Sequence, residues 1–172
     1  PQVFENATAV LARLDVTGIP VACGRETPLV GHNEAPAQWR ASADTLGDMT
    51  LPKPGELSDL AAPDLLIDTI RSSPTKVTVL ALGPLTNIAE AMHRNRTLLD
   101  NVEMIYVMGG AVDVGGNVSY ANETAEFNIW ADPHAAALVL ESGVPITLVP
   151  LDATNAAPVT PRFYEVFAKH HG

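Results

Sequence analysis

The sequence predicts an α/β fold in which a mainly parallel β-sheet carries helices on both faces. Apolar runs of strand length alternate with segments whose apolar residues recur at helical spacing, and this alternation is typical of parallel strands joined by crossover helices. The runs are almost continuously apolar, as expected for strands covered on both faces. A length of 172 residues suits one domain with a sizeable core.

The first third of the chain predicts two helices, a short strand and a long loop. Apolar residues recur at helical spacing over residues 6–14, and residues 19–23 form a short apolar run that indicates a strand. Residues 24–56 are rich in glycine, proline and polar side chains, which predicts a long loop anchored by Trp39. A helix over residues 60–71 follows.

The rest of the chain alternates regularly. The predicted strands are residues 77–82, 102–107 and 144–149, and the predicted helices are residues 84–94, 132–141 and 160–170. Asp132 and Pro133 supply an N-cap and a first-turn proline for the second of these helices. Gly143 is expected directly after its C-cap, where a left-handed backbone favours glycine.

Polar segments follow three of the predicted strands. They are residues 83–87, the glycine-rich stretch after Met108, and residues 152–155. Because ligands of parallel α/β sheets bind beyond the carboxyl ends of the strands, we expect these segments to meet at one rim and to form the site.

The stretch after Met108 carries the candidate binding residues. Glu126 and Asn128 flank Phe127, and in an extended segment both polar side chains would point the same way. Together with Asn117 they offer donors and acceptors suited to the hydroxyl groups of a sugar. A solvated loop or a structural hydrogen-bond network is the alternative interpretation. The glycine pairs in this stretch lack the spacing of a dinucleotide-binding loop.

Composition limits the classes of partner. The net charge of −10 argues against a nucleic-acid polymer or an anionic membrane. The single cysteine, Cys23, excludes an intramolecular disulfide and is expected to be buried. The five histidines lack the company of a catalytic triad or a metal motif. Without a secretory signal or a long apolar run, a cytoplasmic protein is expected.

Several motifs in this order resemble the inosine–uridine preferring nucleoside hydrolases over about residues 6–155. The motifs are Gly83-Pro84-Leu85-Thr86-Asn87-Ile88-Ala89, Met108-Gly109-Gly110, and Ala125-Glu126-Phe127-Asn128 through Asp132-Pro133. The resemblance implies a calcium-dependent hydrolysis of purine and pyrimidine ribonucleosides to base and ribose, in a homo-oligomer that is a dimer or a tetramer. It also implies a calcium ion held by aspartates near both ends of the domain and by one backbone carbonyl, all oxygen ligands that calcium prefers.

Carried over by position, the resemblance implies a role for each motif residue. The carbonyl ligand is Leu82, and Met108 lies beneath the sugar. The ribose clamp is Asn117, Glu126 and Asn128, with Phe127 between the last two. Asn122 is a rival for the place of Asn117, because the segment before Glu126 is longer than in many relatives.

Two parts of the family pattern are absent. The aspartate-rich D-x-D-P-x-x-D-D motif and the carboxyl-terminal His-Asp pair do not occur, so no catalytic residue is assigned. We therefore expect residues 1–172 to form a single incomplete domain that holds calcium weakly and is inactive alone. The alternative is a truncated, non-catalytic protein that binds ribose, a nucleoside or another protein. Residues 39–48, where relatives often place a base-facing histidine, contain none, so base preference stays open.

Overall fold

The computed structural model describes residues 2–45 and 50–171. Its helices are α1 (Gln2–Arg13), α2 (Ala37–Thr45), α3 (Ala62–Ser72), α4 (Thr86–Arg94), α5 (Phe127–Ala131), α6 (Pro133–Leu140), α7 (Leu151–Thr154) and α8 (Pro161–His171). Its strands are β1 (Val77–Ala81), β2 (Val102–Met108) and β3 (Ile146–Val149), and a 3₁₀ helix (Arg96–Asn101) precedes β2. None of the helices in the described ranges is long and apolar enough to cross a membrane.

The three strands described form one parallel sheet in the order β1-β2-β3. Val79 is paired with Ile105, which in turn is paired with Ile146, so apolar side chains line up across the sheet. The predicted α/β class with a parallel sheet is confirmed. The third strand begins later than predicted, after Pro145, which lacks the backbone N–H that a ladder needs.

The core lies on one face of this sheet. Helices α3, α4 and α6 pack there against Ala81, Ile105 and Val107. On the opposite face, in the part of the chain that the structure describes, Leu80 is 66% and Tyr106 39% exposed. Helices that cover the sheet are thus present on the first face, and the second face carries exposed apolar side chains.

The predicted start of α6 is confirmed. The Asp132 carboxylate accepts a hydrogen bond from the Ala135 N–H at 3.0 Å, and Pro133 occupies the first turn. The helix ends at Leu140 with Glu141 as its C-cap. Gly143 has the expected left-handed backbone, with φ of 83°. It lies two residues after the C-cap, whereas the sequence predicts it directly after the C-cap.

The strand predicted over residues 19–23 is wrong. Pro20 has no N–H to donate, and the segment bonds instead to the start of α3 and the residues before it, where Ala62 and Ser58 donate to the carbonyls of Cys23 and Val21. Cys23 is exposed, so the prediction of its burial is also wrong.

The loop predicted over residues 24–56 contains helix α2, so the loop prediction is wrong over that helix and correct over residues 24–36 and 50–56, while residues 46–49 lie outside the described residues. Hydrogen bonds fix the first part of this loop against the rest of the fold. The Arg25 N–H donates to the Asn87 side chain, and the Asn33 side chain donates to the Trp130 carbonyl. Trp39, the predicted anchor, lies on α2 and contacts Phe127.

Candidate functional site

The polar segments that follow the strands meet at one rim of the sheet, as predicted. The N–H of Leu151, directly after β3, donates to the Gly110 carbonyl, and the Gly109 N–H donates to the Val149 carbonyl. The segment after β1 joins them, because the Asn128 side chain donates to the Leu82 carbonyl at 3.4 Å. Parallel strands end at the same edge, and that alignment creates the site.

Glu126 is a buried cap as well as a candidate clamp residue. Its carboxylate accepts hydrogen bonds from the backbone N–H groups of Asn128 at 2.9 Å, Ile129 at 3.1 Å and Gly110 at 3.1 Å. Only 3% of the residue is exposed. An ionised carboxylate has about four acceptor positions, so about one remains for a ligand.

The extended conformation predicted through residues 126–128 is therefore wrong. Glu126 has extended backbone angles, but helix α5 begins at Phe127, because the Glu126 carboxylate satisfies the first free N–H groups of that helix. Glu126 and Asn128 are nevertheless both buried and in contact. The helical turn, and not a shared strand face, brings them together.

Asn128 lies between the first two strand ends. Its Nδ2 group donates to the Met108 carbonyl at 3.1 Å, to the Met108 Sδ at 3.2 Å and to the Leu82 carbonyl at 3.4 Å. The hydrogen bonds of the Asn128 side chain to described residues all involve Nδ2, and none involves Oδ1. In the described ranges, every fully buried polar side-chain atom has a hydrogen-bond partner, so Oδ1 is not fully buried. Oδ1 is therefore open to solvent and can accept a hydrogen bond from a ligand.

Asn117 and its rival Asn122 have different partners. Asn117 Oδ1 accepts from the Phe127 N–H at 2.8 Å, which places this side chain directly at the clamp. Asn122 Oδ1 instead accepts from the N–H and the hydroxyl of Thr124, within its own turn. The geometry favours Asn117.

The loop that carries Asn117 depends on Gly116. Gly116 and Asn117 donate from their N–H groups to the carbonyls of Glu123 and Ala125, so the two arms of the loop run side by side. A Cβ atom at Gly116 would overlap the backbone of Ala125, whereas one at Gly115 would make only an ordinary contact with Glu123. Close backbone approach thus requires glycine at residue 116.

Asp132 makes contacts beyond the helix cap that its sequence position predicts. The side chain is fully buried, and besides capping α6 it accepts from the Leu29 N–H at 2.7 Å and from the Thr86 hydroxyl at 2.8 Å. It thus ties the loop before α2 and the start of α4 to α6. Leu29 is 103 residues away, so no local pattern indicates this contact.

Asp152 shapes the other side of the rim. Its carboxylate accepts from the N–H groups of Val112 at 3.0 Å and Asp113 at 2.8 Å. These bonds favour the ionised form and lower the pKa of Asp152 below its ordinary value. The glycine-rich stretch after Met108 is therefore held against the end of β3.

The Leu82 carbonyl, which the sequence predicts as a calcium ligand, lies at this rim beside Asn128. Within residues 2–45 and 50–171, no group of three or more His, Cys, Asp or Glu side chains could hold a metal ion. His93 and His134 are exposed on helices. Asp48 lies outside the described residues. The described residues do not by themselves fit a calcium ion, which needs six to eight oxygen ligands.

Comparisons with known proteins agree on one family. The family model for inosine-uridine preferring nucleoside hydrolases matches residues 1–172. A probable uridine nucleosidase 2 of rice is 38% identical over 87% of this chain and 44% of its own length. The pyrimidine-specific ribonucleoside hydrolase RihA of Shewanella oneidensis is 38% identical over 91% of this chain and 48% of its own.

A solved structure shares the fold. The inosine-uridine preferring nucleoside hydrolase of Bacillus anthracis superposes with a TM-score of 0.82 at 26% identity, over 98% of this chain and 57% of that one. The chain spans about half the length of the curated relatives that it matches.

Proposed function

Because the chain belongs to the inosine-uridine preferring nucleoside hydrolase family, we propose that the protein that contains it hydrolyses the N-glycosidic bond of ribonucleosides to base and ribose. One observation carries the proposal. All the residues assigned to the ribose site, and the Leu82 carbonyl assigned to the calcium ion, are linked by hydrogen bonds or adjacent in sequence at the carboxyl ends of β1 and β2. They are Leu82, Met108, Asn117, Glu126, Phe127 and Asn128.

In this proposal Asn128 binds the sugar through Oδ1. The Nδ2 contacts with Met108 and Leu82 fix the carboxamide plane, so Oδ1 meets a ribose hydroxyl without reorganising. A preorganised group loses little conformational entropy when the ligand binds. Asn117, which is bonded to the Phe127 N–H, is the second sugar-binding amide, and Asn122 is not.

Glu126 has two roles in the same proposal. Its negative charge stabilises the positive charge that develops on the ribose ring as the base departs. Its three backbone partners hold that charge in place. Because Glu126 is buried, its electrostatic interactions are stronger than in water.

We also propose that the Leu82 carbonyl is one ligand of a calcium ion. When bound, calcium would orient the sugar and make a bound water more acidic. The described residues include no group of three or more acidic, histidine or cysteine side chains that could hold it, so the 172-residue chain should hold calcium weakly and should not turn over nucleosides alone. We further propose that the whole protein is a cytoplasmic dimer or tetramer and that it serves nucleoside salvage.

The test is base release from uridine and inosine by the full-length protein that contains this sequence, with and without calcium. The named substrates of the relatives make uridine the first to measure. Calcium-dependent release supports the proposal, and no release from any ribonucleoside would overturn it in favour of a non-catalytic binding protein. Robust turnover by the 172-residue chain would contradict its proposed inactivity.

A further inference from the structure

Four aromatic rings form a closed cluster beside the clamp. Trp39 on α2 contacts Tyr120 edge-on, with ring centroids 5.9 Å apart, and contacts Phe127 at 5.7 Å. Trp130 contacts the same two rings, at 5.6 Å for Tyr120 and 6.1 Å for Phe127. Each ring therefore contacts two others, and the cluster joins α2, the loop over residues 115–125 and α5.

The cluster acts on the clamp at two points. Phe127 lies between Glu126 and Asn128, and its N–H donates to Asn117 Oδ1 at 2.8 Å. Tyr120 lies in the loop between Asn117 and Glu126. A contact that holds Tyr120 and Phe127 together therefore also holds the Asn117 side chain against the start of α5.

Trp39 is the member that comes from a distant segment. Tyr120, Phe127 and Trp130 are near one another in sequence, whereas α2 lies about eighty residues earlier. Trp39 is 42% exposed, so it packs at the edge of the cluster. Edge-to-face rings at these distances attract each other beyond the effect of buried area.

We propose that Trp39 is a positioning residue for ribose binding, which restrains the loop of Asn117 through Tyr120 and Phe127. The inference rests on the proposed function. Trp39 is partly exposed, and its removal leaves Glu126 and Asn128 bonded to the backbone. Its loss should therefore weaken substrate binding far more than chemistry.

The kinetic experiment compares Trp39→Ala with Trp39→Phe in the full-length protein, on uridine. Loss of two ring contacts should raise KM about tenfold, with kcat changed by less than about twofold. The KM of Trp39→Phe should be close to the wild-type value. Phe163 is an exposed aromatic residue on α8, and Phe163→Ala should leave the KM unchanged. An unchanged KM in Trp39→Ala, or a Trp39→Phe as impaired as it, would overturn the inference.

A second readout does not need activity. The 172-residue chain is digested briefly with a glutamate-specific protease, and cleavage after Glu123 is followed by mass spectrometry. Trp39→Ala should speed this cleavage and Trp39→Phe should not, and equal rates in all three proteins would contradict the inference. If the wild-type protein releases no base, the proposed function fails, while the cleavage rates still decide the role of Trp39.

Discussion

Replacing Glu126 with glutamine should destabilise the chain although the two side chains have nearly the same shape. The carboxylate accepts from three backbone N–H groups: one oxygen takes Asn128, and the other takes Ile129 and Gly110. An amide has one oxygen and one NH₂ group. In its better orientation the amide oxygen keeps Ile129 and Gly110, and the NH₂ group faces the Asn128 N–H.

The cost follows from that count. One buried N–H loses its acceptor, which costs about 1–3 kcal/mol. With a urea m-value of about 2 kcal/mol/M, the unfolding midpoint of Glu126→Gln should fall by about 0.5–1.5 M. In the opposite orientation of the amide, the NH₂ group faces the N–H groups of Ile129 and Gly110, so two donors lose their acceptor and the cost is higher.

The assay is urea unfolding of the dilute 172-residue chain, followed by circular dichroism. Glu123→Gln is the matched control, because it makes the same charge change at an exposed position in the same loop. Its free energy of unfolding should stay within about 0.5 kcal/mol of wild type. Equal midpoints for Glu126→Gln and wild type would refute the capping role and the buried geometry behind it.

Two further predictions concern the loops around the clamp. Gly116→Ala should destabilise the loop and raise protease cleavage after Glu123, because the new Cβ would overlap the Ala125 backbone, whereas Gly115→Ala should behave like wild type. The bonds from Val112 and Asp113 lower the pKa of Asp152 and so stabilise the folded chain when this carboxylate is ionised. This stability is fully present above the ordinary aspartate pKa of about 3.9, and it is lost as the pH falls through the lower pKa of the folded state. Asp152→Asn should therefore lose less stability than wild type between pH 6 and pH 2 in thermal unfolding experiments; a parallel loss in the two proteins would contradict this linkage.

The sequence predicts the layers of the fold because their signals are local. Continuous apolar runs indicate β1 and β2, and Asp132 followed by Pro133 indicates the start of α6. The rim is predictable for the same reason, since parallel strands bring the segments after them to one edge.

Contacts between distant segments are not predictable in this way. Asp132 is identified as a cap from its neighbours, but its bonds to Leu29 and Thr86 depend on how the loops fold over the sheet. The extended conformation predicted for residues 126–128 is wrong for a different reason. Glutamate is an uncommon N-cap, so the spacing of polar residues 126 and 128 indicates an extended segment where a helix begins.

The failed strand over residues 19–23 shows what a local pattern leaves out. An apolar run forms a strand only where a neighbouring strand offers donors and acceptors. Val21 and Cys23 instead accept hydrogen bonds from Ser58 and from Ala62, the first residue of α3. Pro20 then leaves a gap in any ladder.

The most direct test of the clamp is kcat/KM for uridine in the full-length protein with Asn128→Ala, compared with Asn122→Ala. Asn128 is buried with its Oδ1 open to a ligand, whereas Asn122 closes its own turn with Thr124. Asn128→Ala should lower kcat/KM about 10²-fold, and Asn122→Ala should leave it within about threefold. Equal rates for Asn128→Ala and wild type would contradict the assignment of this rim as the ribose-binding site.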